Sequence, residues 1–263
     1  LSPCFNSGSM EPEIADLLPE SDYYGEDRFG YETVDIGALE TPVTCPEAVI
    51  TDAATWGPKL EYICNNVTVT DGGSVNILPG TTLEFLGDYE VTFEGNAVLT
   101  AEGTEYDSII FNSQNREIDW SGFRFENISA MADTSVFSYC KFYGANDTIQ
   151  NGGAVTLENV PFFMVQHALF EECNTYGNGG AINSKNSFGS ISSTTFLRCS
   201  ADNKGGAVYT NGNLSIQNSE FIGNESNSGA AVYVDENGSK NSEIECLIED
   251  SRFIGNSSYS YGG

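Results

Sequence analysis

Residues 152–263 repeat themselves, and the period limits what the chain can become. Gly152-Gly153-Ala154-Val155 returns as Gly179-Gly180-Ala181-Ile182 and as Gly205-Gly206-Ala207-Val208, with a weakened copy at Gly229-Ala230-Ala231-Val232. Successive copies lie 27, 26 and 24 residues apart, and Gly262-Gly263 stands where another would begin. A second motif keeps step: Phe170-Glu-Glu-Cys173, Phe196-Leu-Arg-Cys199, Phe221-Ile-Gly-Asn224 and Phe253-Ile-Gly-Asn256. A period in the twenties with small residues at fixed places is the mark of a stacked array.

Between the motifs run short β-prone stretches such as Ala154–Leu157, Val165–Phe170, Gly189–Phe196, Ala207–Thr210 and Leu214–Ile216. They alternate apolar and polar residues and are split by Asn, Gly, Ser and Asp, and no ten-residue window carries a helical period. Leucine-rich repeats have a similar length, but their fixed leucines are missing. A coil of about three strands with tight corners remains, and the expected fold is all-β, a right-handed parallel β-helix. Gly152, Gly153, Gly179, Gly180, Gly205 and Gly206 then mark corners that need positive φ or close backbone approach. Phe170, Phe196, Phe221 and Phe253 stack inside, each burial contributing roughly 1.5–3 kcal/mol.

The paired Gly-Gly-Ala-Ile/Val and Phe-x-x-Asn motifs resemble those of the chlamydial polymorphic membrane proteins, over roughly residues 140–263. The resemblance implies a right-handed β-helix on a cell surface, adhesive or structural. Cys173 and Cys199 depart from it, standing where Asn is expected, and nothing here resembles the barrel that anchors those proteins.

Earlier stretches, including Val67–Val69, Val75–Ile77, Thr82–Phe85, Val91–Phe93 and Ile109–Phe111, extend the same pattern, so residues 64–263 are expected to form one solenoid. Residues 45–63 read as a connector or cap, with a short helix near Ala48–Trp56. Residues 1–44 differ: acidic side chains from Glu11 to Glu40 face one base, Arg28, and Pro3, Pro12, Pro19 and Pro42 interrupt them. This composition reads as an extended acidic arm. It also carries Leu17, Leu18, Tyr23, Tyr24, Phe29 and Tyr31, anchors that need a surface, with a neighbouring subunit the favoured one.

Lys and Arg total 10 against 38 Asp and Glu, a net charge of −28. That excludes a nucleic-acid partner, which needs a basic face. It disfavours anionic membranes and polyuronates. Calcium is the one cofactor such carboxylates could attract, although neither an EF-hand loop nor a nonapeptide calcium repeat is present. No apolar run is long enough to span a membrane. Leu1 reads as a mature terminus after signal removal or as the start of a segment.

Seven Asn-x-Ser/Thr sequons occur, at Asn66, Asn127, Asn146, Asn213, Asn224, Asn237 and Asn256, and favour a secreted glycoprotein. Asn224 and Asn256 are also repeat positions, so glycans are expected first at the other five. Seven cysteines suggest disulfides with one left over, for which Cys4 is the candidate. Cys173 with Cys199, in neighbouring rows, and Cys45 with Cys64 are the expected pairs. Zinc is disfavoured: no CxxC occurs and His167 is the only histidine.

No catalytic, cofactor-binding or metal-binding residue emerges. The β-helix also carries pectate lyases and polygalacturonases, but the clustered bases and aspartates those chemistries need are missing. His167 reads as a surface strand residue. The expected function is a non-catalytic extracellular structural subunit, self-associating into a filament or appendage through residues 1–44 and the β-helix ends. A cell-surface adhesin is the alternative, and a glycan-active enzyme the third reading.

Overall fold

The computed structural model describes residues 45–70, 72–113, 119–147, 152–236 and 244–261. The acidic arm, Asn237 and Gly262-Gly263 lie outside them. The described chain is all β and forms a parallel β-helix. Three sheets each hold eight strands and a fourth holds five. Each coil visits the sheets in turn. Val155–Glu158 lies in sheet 1, Phe163–Gln166 in sheet 2, Leu169–Glu171 in sheet 3 and Asn174–Thr175 in sheet 4. The next coil repeats this with Ile182–Lys185, Gly189–Ser192, Thr195–Leu197 and Ser200–Lys204. Pairing is parallel and in register with the repeat: Val155 opposes Ile182, and Phe170 opposes Phe196.

The alternation read from the sequence turns one side of every strand inward. The phenylalanines form a column in sheet 3 from Phe111 through Phe142, Phe170, Phe196 and Phe221 to Phe253. Ring centroids lie 4.7, 4.4, 5.1, 4.8 and 4.8 Å apart. Toward the N-terminal coils the filling changes to Phe85 on Trp120 at 4.4 Å and Phe93 on Phe125 at 4.8 Å.

Both glycines of each pair are needed, for different reasons. The first has φ of 95°, 70°, 69° and 62° at Gly152, Gly179, Gly205 and Gly229. The second lies under a carbonyl of the following coil: a Cβ on Gly180 would meet the Gly206 oxygen at 2.2 Å, and one on Gly206 the Ala230 oxygen at 2.1 Å. Ala230 itself breaks the motif in the coil whose strand, Val232–Val234, is the last of sheet 1 among the described residues.

The corner between sheets 2 and 3 uses left-handed residues that are not glycine, whereas the corner after sheet 3 mixes Gly144, Gly223 and Gly255 with Glu172 and Arg198. Between sheets 2 and 3 the turn centres on Tyr139, His167, Ser193, Asn218 and Asp250, with φ of 49–52°. Ala168, Thr194, Ser219 and Ser251 follow the last four of these. The Oγ atoms of Thr194, Ser219 and Ser251 accept from the backbone N–H of Ala168, Thr194 and Ser219 respectively. Each hydroxyl also donates to the carbonyl two residues back, so the corners satisfy their own polar groups.

Three expectations are corrected. The helix near Ala48–Trp56 is absent: Val49–Ile50 and Ala53–Trp56 are strands pairing with Val67–Val69 and Ser74–Ile77. Burial of Ile50 and Trp56 in the common core, with the pairing, overrides local preference. With Leu60–Ile63 in sheet 3, the solenoid takes its first strands from the segment read as a connector. Finally, Val165–Phe170 is not one strand but two, divided at His167.

Candidate functional site

One interior column passes from free thiols to carboxamides. Ala145, Cys173, Cys199, Asn224 and Asn256 occupy the same place in successive coils, three residues after the stacked Phe. Asn224 is fully buried; its Oδ1 accepts from the Cys199 N–H at 2.9 Å. Its Nδ2 donates to the Phe196 carbonyl at 3.1 Å and to Asn256 Oδ1 at 2.9 Å. Asn256 repeats the pattern, Nδ2 donating to the Phe221 carbonyl at 2.9 Å.

Cys173 and Cys199 share this row but are not bonded to each other; both are buried free thiols, correcting the expected bridge. Cys199 Sγ donates to Phe170 O at 3.6 Å and Cys173 Sγ lies 3.9 Å from Phe142 O. Each thiol therefore leans on the coil before it. Stacked rows hold the two side chains parallel, whereas a disulfide needs them to converge. Burial, and then Cys199 beside it, pushes the Cys173 thiol well above its ordinary pKa. Burial raises Cys140 as well, and half-buried Cys246 to a lesser depth. Cys45 and Cys64 are joined, with Cα atoms 5.7 Å apart, closing a 19-residue separation around the first coil. A disulfide points to an oxidising compartment. No helix among the described residues is long and apolar enough to cross a membrane.

The sequons separate by what their carboxamides do. Asn66, Asn127 and Asn213 are engaged through Oδ1, accepting from Glu90 N, Asn159 Nδ2 and Glu245 N. Asn66 and Asn127 are exposed and Asn213 is half-buried. Asn146 donates from Nδ2 to Asp119 at 2.8 Å. The Nδ2 atoms of Asn224 and Asn256, where a glycan would attach, are tied into the interior column.

Charged residues pair across the coils. Arg124 is buried and meets Glu90 at 3.2 Å, Glu126 at 3.4 Å and Asp147 at 3.7 Å. Register stacks Glu94, Glu126, Glu158 and Lys185 in one outer row. Farther along, Lys204 Nζ lies 2.8 Å from Asp235 and 4.6 Å from the Tyr233 ring centre. Tyr209 donates to the same carboxylate at 3.2 Å; burial first, then Asp235, pushes its hydroxyl up to about 12. Arg198 and Arg252 pair with Glu172 and Glu220. Among the described residues no three His, Cys, Asp or Glu side chains are placed to hold a metal ion.

His167 is exposed at its corner and stacks on Tyr139, ring centres 4.5 Å apart and planes 10° from parallel. Sequence reading missed this pair, 28 residues apart, and also the Arg124 cluster, whose partners Glu90 and Asp147 lie 34 and 23 residues from Arg124, because they meet only through coil register; the spacing of the coils is the one signal that brings them together.

Fold and sites together define a parallel β-helix whose buried polar groups serve stacking and pairing. No protein-family model, curated protein or solved structure matches this chain.

Proposed function

We propose that the chain is a non-catalytic structural glycoprotein of the extracellular space or cell surface, a filament or appendage subunit that self-associates through the ends of its solenoid. The observation that carries this is the apolar C-terminal end of the described coils. Phe221 is fully buried, yet Phe253, next in the same column, is 48% exposed. Val234, Leu247, Ile248 and Ile254 on the neighbouring terminal strands are exposed too, and Phe253, Ile248, Val234, Ala230 and Asn256 line an open hollow. Terminal strands with unpaired backbone edges and apolar side chains invite another β-rich surface.

The opposite end differs. Glu61, paired with Leu83, brings a carboxylate to an inward position, and its Oε1 accepts from the Gly57 N–H at 3.1 Å. An inward charge is a known restraint on edge pairing. Val49 is exposed there as well, and Ile50, Ala54 and Trp56 line a second hollow, so this reading takes both ends of the described coils as contact surfaces. Commitment of Arg124, Arg198, Lys204 and Arg252 to ion pairs supports the non-catalytic reading. The disulfide, the exposed sequons and the repeat resemblance support a surface location.

Light scattering over a concentration series, with negative-stain electron microscopy, tests assembly. The full chain should form ordered multimers that Phe253→Asp and Ile248→Asp each dissolve. Single short rods from the unsubstituted chain would overturn the structural reading and favour the adhesin.

A further inference from the structure

Sheet 2 differs from its neighbours on its outward side. Sheet 1 shows Glu90, Glu94, Glu126 and Glu158 there, and sheet 3 shows Glu84, Lys141, Glu171 and Glu220. From Val136 to Gln217 the outward residues of sheet 2 carry no charge. Two rows cross these four coils: Val136, Met164, Ser190 and Ser215 in one, Ser138, Gln166, Ser192 and Gln217 in the other. Carboxylates appear only at the ends of the second row, Glu102 before Ser138 and Glu249 after Gln217. On a chain of net charge −28 such a stretch is out of keeping with the composition.

We propose that this face binds an uncharged linear polysaccharide lying across several coils. Hydroxyls and carboxamides both donate and accept, as sugar hydroxyls do, and neutral groups cost far less to take from water than carboxylates. Gln166 Nε2 donates to the Oγ of Ser138, itself buried, at 3.2 Å, and Gln217 Nε2 donates to Glu249 at 3.0 Å, so both carboxamides are held along the row. Met164 and Val136, half-buried in the adjoining row, offer apolar contact to the C–H faces of a sugar ring. The Tyr139–His167 stack borders the same coils at the corner beyond the second row.

Charge selects the partner. A polyanion is repelled by the chain as a whole. A polycation is drawn instead to the Glu94, Glu126 and Glu158 row. Strands repeat about every 4.8 Å along the solenoid, so identical weak contacts recur, which suits an extended polymer rather than a small molecule. Binding here is independent of assembly through the ends, because the outward side of sheet 2 is separate from the terminal strands' free edges.

The test is co-sedimentation of the full chain with cellulose, chitin, β-1,3-glucan and mannan, with polygalacturonate and chitosan as charged comparisons. Light scattering on the same samples reports assembly separately. At least one neutral polymer should retain the chain, and added salt should leave retention unchanged. Ser190→Glu with Ser215→Glu, and separately Ser192→Lys, should weaken retention about tenfold or more by placing unpaired charge in the contact. Thr195→Glu on sheet 3 should not, and circular dichroism identifies the variants that fold. Failure of every neutral polymer to retain the chain, retention that salt abolishes, or equal weakening by Thr195→Glu would overturn the proposal.

Discussion

Nδ2 of Asn224 lies 2.9 Å from Oδ1 of Asn256, and through that bond two coils share one continuous polar column beside the stacked phenylalanines. Asn224 also satisfies the Cys199 N–H and the Phe196 carbonyl. Asn224→Ala leaves those groups unpaired and should destabilise the chain by about 2–4 kcal/mol, seen as a lower Tm by circular dichroism. A glycopeptide map should show sugar at Asn66 and Asn127 and none at Asn224 or Asn256; occupancy at Asn224 would show that the column is not formed when the sugar is added.

Thiol labelling reads the same region. Among the described free cysteines Cys246 should react first with a soluble disulfide reagent, while Cys140, Cys173 and Cys199 react only on unfolding, since they are buried. Early labelling of Cys173 would contradict the packed column.

Alkaline pH should destabilise the fold. Folding raises the pKa of Cys140 and Cys173 above 9.0, and that of Tyr209 from 10.0 to about 12. Above the ordinary values the unfolded chain releases protons that the folded chain retains. Stability is therefore whole below about pH 9 and is lost as pH rises through the folded values. Urea midpoints measured from pH 7 to 11 should fall across that range; a flat profile would count against burial of these groups.

Gly180→Ala forces a methyl against the Gly206 carbonyl, 2.2 Å away, and should cost about 3 kcal/mol. Ala230→Gly, at the same motif position beneath no later strand of its sheet among the described residues, should change Tm little. Equal effects in the two variants would remove the close-approach explanation.

Ser184 points into the core opposite Leu157, and its hydroxyl is buried without a hydrogen-bond partner. Ser184→Ala should leave stability unchanged or raise it by about 1 kcal/mol, the reverse of the usual effect of trimming a core residue. A clear loss would point to a water-mediated partner for Ser184.

What the sequence disclosed was what coils repeat as side-chain type. The glycine pairs and the stacked Phe recur as letters, so their roles could be read directly. The corner residues Tyr139, His167, Ser193, Asn218 and Asp250 share a backbone conformation but no side chain, and a pattern of letters does not display φ. Cys173 and Cys199 were placed in neighbouring rows correctly, because register follows from the period. Their bonding state was misread, because parallel side-chain directions follow from packing. Ala48–Trp56 was misread for a similar reason: Ile50 and Trp56 find their inward direction only once the next coil is laid beside them. The uncharged face of sheet 2 emerges only when residues about 25 to 30 apart are set in columns.

The passage from Val234 to Cys246 is longer than the corresponding passages in the preceding coils, yet Cys246 still opposes Leu214, and Phe253 still opposes Phe221. Register is thus restored strand by strand and not by counting residues around the coil. A chain built in this way can acquire new sequence at one corner without moving any side chain in its interior, which makes that corner the natural place to graft a foreign peptide for display.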